Sequence, residues 1–422
     1  MNRAGVFMGI LLATLTVACK KAEVGLDAPV SPLTGTRTQF TLDSIYLYAK
    51  QVYLWSNSLP AYKTFDPRAK YTAYASADDA FNTEVFDISQ IAINPSTTKP
   101  YELPVNAGVA KYSYLTGYNG SSGGGQAAVV APSLDAILKD TIIDENIAYV
   151  ALGSFPKLST CKKMLDAAFA NLGTTNPTRL VIDLRYNGGG YVETAEYIAN
   201  LIAPGSLTGK VMFTEQYNTL LSAGDASILK NQTYYDASGN TVIYKGRTAT
   251  MADVDYTETG NTHMFAKTTG FETVKDIYFI TSGSTASASE LLISVMKPYF
   301  NVRLVGGTTY GKPVGFFSVK VDVYSVYLSG FLIRNAAGWS DYFEGMPPDV
   351  EVAQQEGAAL GDPTEACLKA TLGLINGSWP GLVQQQAADK TVQTNTVFKS
   401  SPVNVTVQAS GMIENRFKLK SN

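Results

Sequence analysis

Three segments hold the side chains best suited to chemistry in this sequence. The sharpest is Phe279-Ile-Thr-Ser-Gly-Ser-Thr-Ala-Ser-Ala-Ser-Glu290-Leu-Leu292, which reads as strand, small-residue turn and helix. A serine in such a turn stands at a helix N-terminus, where unpaired backbone N–H groups and the helix dipole favour developing negative charge. The N–H that follows the serine is then a ready oxyanion donor. The plainer reading of the same residues is helix capping, which Ser and Thr do well.

The second segment is Val305-Gly-Gly-Thr-Thr-Tyr-Gly-Lys312-Pro-Val-Gly-Phe-Phe317, one lysine among glycines and aromatic residues. An ordinary lysine is protonated at neutral pH and is no base. An apolar pocket that lowers its pKa by about three units makes it one, at a cost to the charged form of roughly 4 kcal/mol. The plainer reading is a surface lysine in a glycine loop. The third segment, Val181-Ile-Asp183-Leu-Arg185-Tyr-Asn187-Gly-Gly-Gly190, ends a near-continuous apolar strand in charge and then glycine. Its glycines can present N–H groups to a ligand. It is neither a dinucleotide fingerprint nor a P-loop. Asp183 and Arg185 read as a structural ion pair.

Composition narrows the chemistry. The 422 residues include one histidine, His263, so a Ser-His-Asp hydrolase would need that residue as its base. His263 sits in the polar run Asn-Thr-His-Met-Phe with no recognisable acid partner. Cys19, Cys161 and Cys367 show no paired spacing. Neither a metal nor another cofactor is expected. The last two cysteines are either separate buried thiols or one disulfide. With 45% hydrophobic and 16% charged residues and a net charge of −3, the chain is globular and not built for nucleic acid.

The elements that must position these segments are legible from residue 147 onward. Strand signals at 147–152, 179–184, 276–281 and 302–305 alternate with helix signals at 160–172, 192–202 and 287–299. Met164, Ala168 and Leu172 form the stripe of the first of these helices. Apolar strands alternating with helices indicate an α/β core with buried strands. Strands or a hairpin are expected at 316–333, and a helix at 363–375. Upstream, 41–57 and 76–91 read as helices capped by Thr41 and Ser76. Residues 92–146 are turn-rich, with a Gly/Ser loop at 119–125.

The N-terminus reads as an export signal over residues 1–18, too short an apolar run to span a bilayer. Thr16-Val17-Ala18-Cys19 resembles a bacterial lipobox, with Thr16 where Leu is usual. That resemblance implies lipidation of Cys19, a tether over 19–40 and a lipid-anchored protein of a Gram-negative periplasm or outer membrane. The expected order continues with an N-terminal helical domain (41–91), a connecting region (92–146) and a core (147–380) with a polar insertion at 214–272. A C-terminal tail (381–422) carries one alternation at Val403, Val405 and Val407.

Together the three segments resemble the tail-specific, or C-terminal processing, serine peptidases. Ser287-Ala288-Ser289-Glu290 matches the nucleophile segment, Lys312 stands 25 residues after Ser287, and Asp183 to Gly190 matches the glycine segment. Gly345-Met-Pro-Pro-Asp349 and Gly361-Asp-Pro363 look like the closing segments. The resemblance implies a crotonase-like spiral β-sheet core with flanking helices, and a serine endopeptidase acting on envelope or extracellular proteins. It further implies Ser287 as nucleophile, Lys312 as general base, Glu290 orienting Lys312, and an oxyanion hole from Ala288 with Gly189 or Gly190. Two departures stand out. Phe316 occupies the place of a lysine-orienting Gln, and 92–146 is short for the family's PDZ module. The alternative is a weak or inactive peptide- or glycan-binding lipoprotein on the same scaffold.

Overall fold

A computed structural model of the chain describes residues 31–117, 135–236, 238–354, 359–378, 412, 414 and 416–421. The export signal, Cys19, the Gly/Ser loop and the 403–407 alternation lie outside the described residues.

Two longer N-terminal helices, α1 (Arg37–Val52) and α2 (Ala77–Ser89), with two short helical turns between them, precede a short strand, β1 (Tyr114–Gly117). Helix α1 starts earlier than Thr41 because Thr36 and Gln39 complete a reciprocal capping box, each side chain bonded to the other's backbone N–H. Thr41 instead bonds back to the Arg37 carbonyl within the helix. Ser76 caps α2 as expected. The buried faces of both helices join one continuous core that runs from Leu42 to Met412.

The central sheet has six strands: β2 (Ile137–Asp144), β3 (Ile147–Leu152), β4 (Arg179–Asp183), β7 (Asp276–Thr281), β8 (Asn301–Gly306) and β13 (Val350–Glu351). Their spatial order is β13-β8-β7-β4-β3-β2, parallel except for the β2–β3 pair. Every residue of β3 is buried, as befits a parallel strand covered on both faces. Flanking helices are α3 (Leu158–Leu172), α4 (Val192–Ile202), α5 (Ala288–Met296) and α6 (Ala366–Ile375). The protein is thus mixed α/β with helices on a central sheet. Met164 is not on the packed face of α3. It is 45% exposed; Ala168 and Leu172 are buried as expected, joined by Cys161, Leu165 and Phe169, because the stripe turns on Leu165 and Phe169.

A second, antiparallel sheet has the order β6-β5-β12-β9, from β5 (Val211–Tyr217), β6 (Thr262–Met264), β9 (Val314–Gly315) and β12 (Phe331–Asn335). The segment read as a polar insertion therefore contributes two strands of a sheet. β10 (Ser318–Val321) and β11 (Tyr324–Tyr327) form a third with β1. The C-terminal residues fold back: Met412 is fully buried, and Leu419 makes an antiparallel bridge to Val254. Cys161 and Cys367 are both buried free thiols. Among the described residues no helix is long and apolar enough to cross a membrane.

Candidate active site

Three turns meet at one edge of the central sheet, outside the carboxyl ends of adjacent parallel strands, where α/β sheets place their crevices. They follow β4, β7 and β8. Backbone bonds tie them together: Ala286 N–H to the Asn187 carbonyl (3.2 Å), Gly307 N–H to Thr281 (2.9 Å) and Tyr310 N–H to Thr285 (2.9 Å).

Ser287 sits at the head of α5 with φ 63° and ψ −119°. That is a strained backbone for any residue with a Cβ, of the kind that persists where the surroundings enforce it. The residue is completely buried, and its Oγ has no hydrogen-bond partner. Lys312 is 2% exposed, with Nζ 4.6 Å from the centre of the Phe316 ring. Burial pushes its pKa from 10.5 down to about 8, against the opposing pull of Glu102 and Glu290. No hydrogen bond joins Ser287 Oγ to the Lys312 amine.

Glu290 joins them. One carboxylate oxygen, Oε2, accepts from the Ser287 N–H (2.9 Å) and from the Lys312 N–H (2.8 Å). The other accepts from Gly311 N–H (2.7 Å) and Thr309 Oγ1 (2.5 Å). Burial leaves its pKa raised, and those four donors oppose the rise. The expected contact between Glu290 and the lysine ammonium is therefore replaced by contacts to the backbone on either side. The carboxylate fixes the loop that carries the amine. The Gly345 segment supports the same loop, since Met346 N–H donates to Thr309 Oγ1.

The glycines behave differently from one another. A Cβ on Gly189, φ 103°, would lie 2.8 Å from Ser287 Cβ and 2.9 Å from the Ala288 nitrogen. This glycine brings the β4 turn against the serine. Its own N–H, however, donates to Asn187 Oδ1 (2.9 Å), so it is not aimed at a ligand. Gly190, φ 140°, packs on the Phe155 carbonyl, and the bridge bonds there use the Gly189 carbonyl and the Tyr191 N–H. Ala288 is fully buried at the first position of α5.

Asp183 and Arg185 do form a buried pair (2.8 Å), which Glu365 completes with two more bonds to the guanidinium. His263 does have an acid partner. Its Nδ1 lies 3.1 Å from Glu196 Oε2, and its ring stacks on Phe213 at 4.2 Å. These partners lie 67 and 50 residues away in the chain, where no local pattern announces them.

Sequence reading also missed the contribution of residues 102–113. Glu102 is buried and accepts from Tyr53, Ser329 and both backbone and side chain of Ser113. Tyr112 donates to the Gly311 carbonyl, next to Lys312. Lys111, pushed down to about 8 chiefly by burial, donates to the Phe343 carbonyl (2.6 Å). The only signal was a Lys-Tyr-Ser run without periodicity.

Residues 146–352 match peptidase family S41. This core belongs to that family. No curated protein matches the chain. Among solved structures, a candidate S41 protease from Bacteroides fragilis is 20% identical over 58% of this chain and 58% of its own length, TM-score 0.44. That alignment spans less than two thirds of the relative. A lipoprotein from Streptococcus agalactiae is 17% identical over 76% of this chain and 94% of its own, TM-score 0.45. The photosystem II D1 C-terminal processing protease is 14% identical over 76% and 94%, TM-score 0.45. The S41 match contains all three converging turns, with Gly189, Ser287 and Lys312 inside it.

Proposed function

We propose that this S41 peptidase is a serine endopeptidase that works through a Ser287/Lys312 dyad and an acyl-enzyme. The observation that carries the reading is the shared oxygen of Glu290, which receives the backbone N–H groups of both residues and so seats nucleophile and base in one buried site. Neutral Lys312 takes the Ser287 Oγ proton as Oγ attacks the peptide carbonyl. The oxyanion is held by the Ala288 N–H and the Gly190 N–H, Gly189 being engaged by Asn187. Lys312 then protonates the leaving amine, and water resolves the ester by the reverse path. Substrates are protein or peptide chains of the cell envelope or exterior. The protein is exported through residues 1–18 and anchored by lipid at Cys19, in the periplasm or outer membrane.

A second reading is favoured by one observation: Ser287 Oγ makes no hydrogen bond. It is a peptide- or glycan-binding lipoprotein with an idle dyad. The experiment is digestion of an unfolded protein by wild type, Ser287→Ala and Lys312→Ala, alongside labelling with a serine-acylating fluorophosphonate. Cleavage and labelling in wild type, and neither in the two variants, is expected. A wild type that neither cleaves nor labels across pH 6–9 replaces the dyad reading with the binding one.

A further inference from the structure

Behind β5 and β6 lies a cluster of charge with no part in the dyad. Glu215 on β5 is 1% exposed; its Oε2 accepts from Tyr217 OH (2.8 Å), and its Oε1 has no hydrogen-bond partner. His263 on β6 brings Nε2 to 3.8 Å from that oxygen. Glu414, from the C-terminal segment, adds a third buried donor, and the three candidate ligand atoms lie within 4.8 Å of one another. Arg416 binds Glu414 (2.7 Å) and Glu196 (2.9 Å).

We propose that Glu215, His263 and Glu414 bind one divalent cation of the zinc class, which pins the C-terminal segment to the core.

Three features argue for a cation. The first is the orphaned Glu215 oxygen: a buried carboxylate lone pair without a donor is costly, and a cation satisfies it. The second is the histidine. Glu196 lies 3.1 Å from Nδ1 and leaves Nε2 turned toward Glu215, the carboxylate–histidine arrangement found behind metal ligands. The third is charge. Three carboxylates, Glu196, Glu215 and Glu414, surround one guanidinium, Arg416, and the imidazole that lies between Glu196 and Glu215, an acid-rich setting that a cation suits. Two carboxylates and one imidazole suit zinc with water as fourth ligand. Ligand atoms about 2.1 Å from a tetrahedral ion stand roughly 3.4 Å apart, a few tenths closer than the His263–Glu215 separation.

The consequence reaches the dyad loop. Met412, two residues before Glu414, accepts the Phe316 N–H (3.1 Å), and the Phe316 ring faces Lys312. A cation on Glu414 therefore anchors the segment that braces the base.

The test uses the full-length chain, stripped with chelator and titrated with Co2+ and then Zn2+. One Co2+ per chain with tetrahedral ligand-field absorption is expected, displaced by Zn2+, together with a zinc-dependent rise in melting temperature. Glu215→Gln, which keeps shape, and His263→Ala lose both responses, and Glu196→Gln weakens binding 10–100-fold. Absence of saturable Co2+ binding in folded wild type overturns the site. So does binding or zinc stabilisation that is unchanged in Glu215→Gln or His263→Ala.

Discussion

Lys312→Met separates what the lysine does for chemistry from what it costs the fold. Methionine approximates a neutral lysine in size and lacks its charge. A fall in pKa from 10.5 to about 8 means that the charged amine is worse placed in the folded protein than in the unfolded chain by about 3 kcal/mol. Below pH 8 the lysine is protonated in both states, and the whole penalty is present. Between pH 8 and 10.5 the unfolded chain holds the proton and the folded one does not, so wild-type stability rises with pH. Above 10.5 neither holds it, and the penalty is gone. Lys312→Met is therefore expected to be about 3 kcal/mol more stable than wild type at pH 7. The gap should close as pH rises from 8 to 10.5, while cleavage is abolished throughout. The assay is urea unfolding of both proteins at pH 7, 9 and 10.5, read with kcat/KM for wild type. That profile should climb about tenfold per unit below pH 8 and then level as the amine becomes neutral. A methionine variant no more stable at pH 7, or a gap that does not change with pH, would refute a buried, depressed Lys312.

Further expectations concern the turns around it. Ser287→Gly should remove fluorophosphonate labelling yet raise stability by about 1–3 kcal/mol in denaturant melts, because glycine accepts φ 63° without strain. Glu290→Gln should lose about 2–3 kcal/mol and most of kcat. An amide cannot accept at both positions, and the N–H groups of Gly311 and Lys312 need an acceptor at each. Gly190→Ala should destabilise by about 3 kcal/mol, since its Cβ would fall 2.1 Å from the Phe155 carbonyl oxygen, which is backbone and cannot swing away.

The site was legible to the extent that its residues lie in local patterns. β4, β7 and β8 announce themselves as short apolar runs ending in glycine or small residues, and those ends are where Gly189, Ser287 and Lys312 sit. What escaped notice depends on contacts between distant segments. Glu102 and Tyr112 come from a turn-rich stretch whose meaning appears only when β1 pairs with β11 and draws it against the Lys312 loop. His263 looked unpartnered because Glu196 is on α4 and Glu215 is across a strand pair. The start of α1 was misplaced because Thr36 with Gln39, and not Thr41, caps the helix. Glu290 was singled out for the right place and the wrong contact. Spacing predicts that it faces the lysine loop, but not that backbone N–H groups outcompete the ammonium.

That last point bears on Phe316. A glutamine there would hold a lysine side chain by a hydrogen bond, and an aromatic ring cannot. In this chain the work is divided. Glu290 fixes the backbone at both Ser287 and Lys312, so the stem of the lysine leaves from a set position. The Phe316 ring, fully buried and 4.6 Å from Nζ, is part of the apolar surround whose burial of the amine lowers its pKa. Under the proposed dyad, orientation of the terminal amine is left to Ser287 Oγ and the substrate. An unpaired Oγ in the free protein fits that division, because catalytic hydrogen bonds commonly tighten only when substrate is bound. On this reasoning Phe316→Gln exchanges a dry wall for a polar one. It should raise the pKa of Lys312 and shift the rising limb of kcat/KM to higher pH, even as it supplies the bond the ring lacks. A limb that moves to lower pH would mean that the glutamine amide donates to the neutral amine and that this bond outweighs the entry of water.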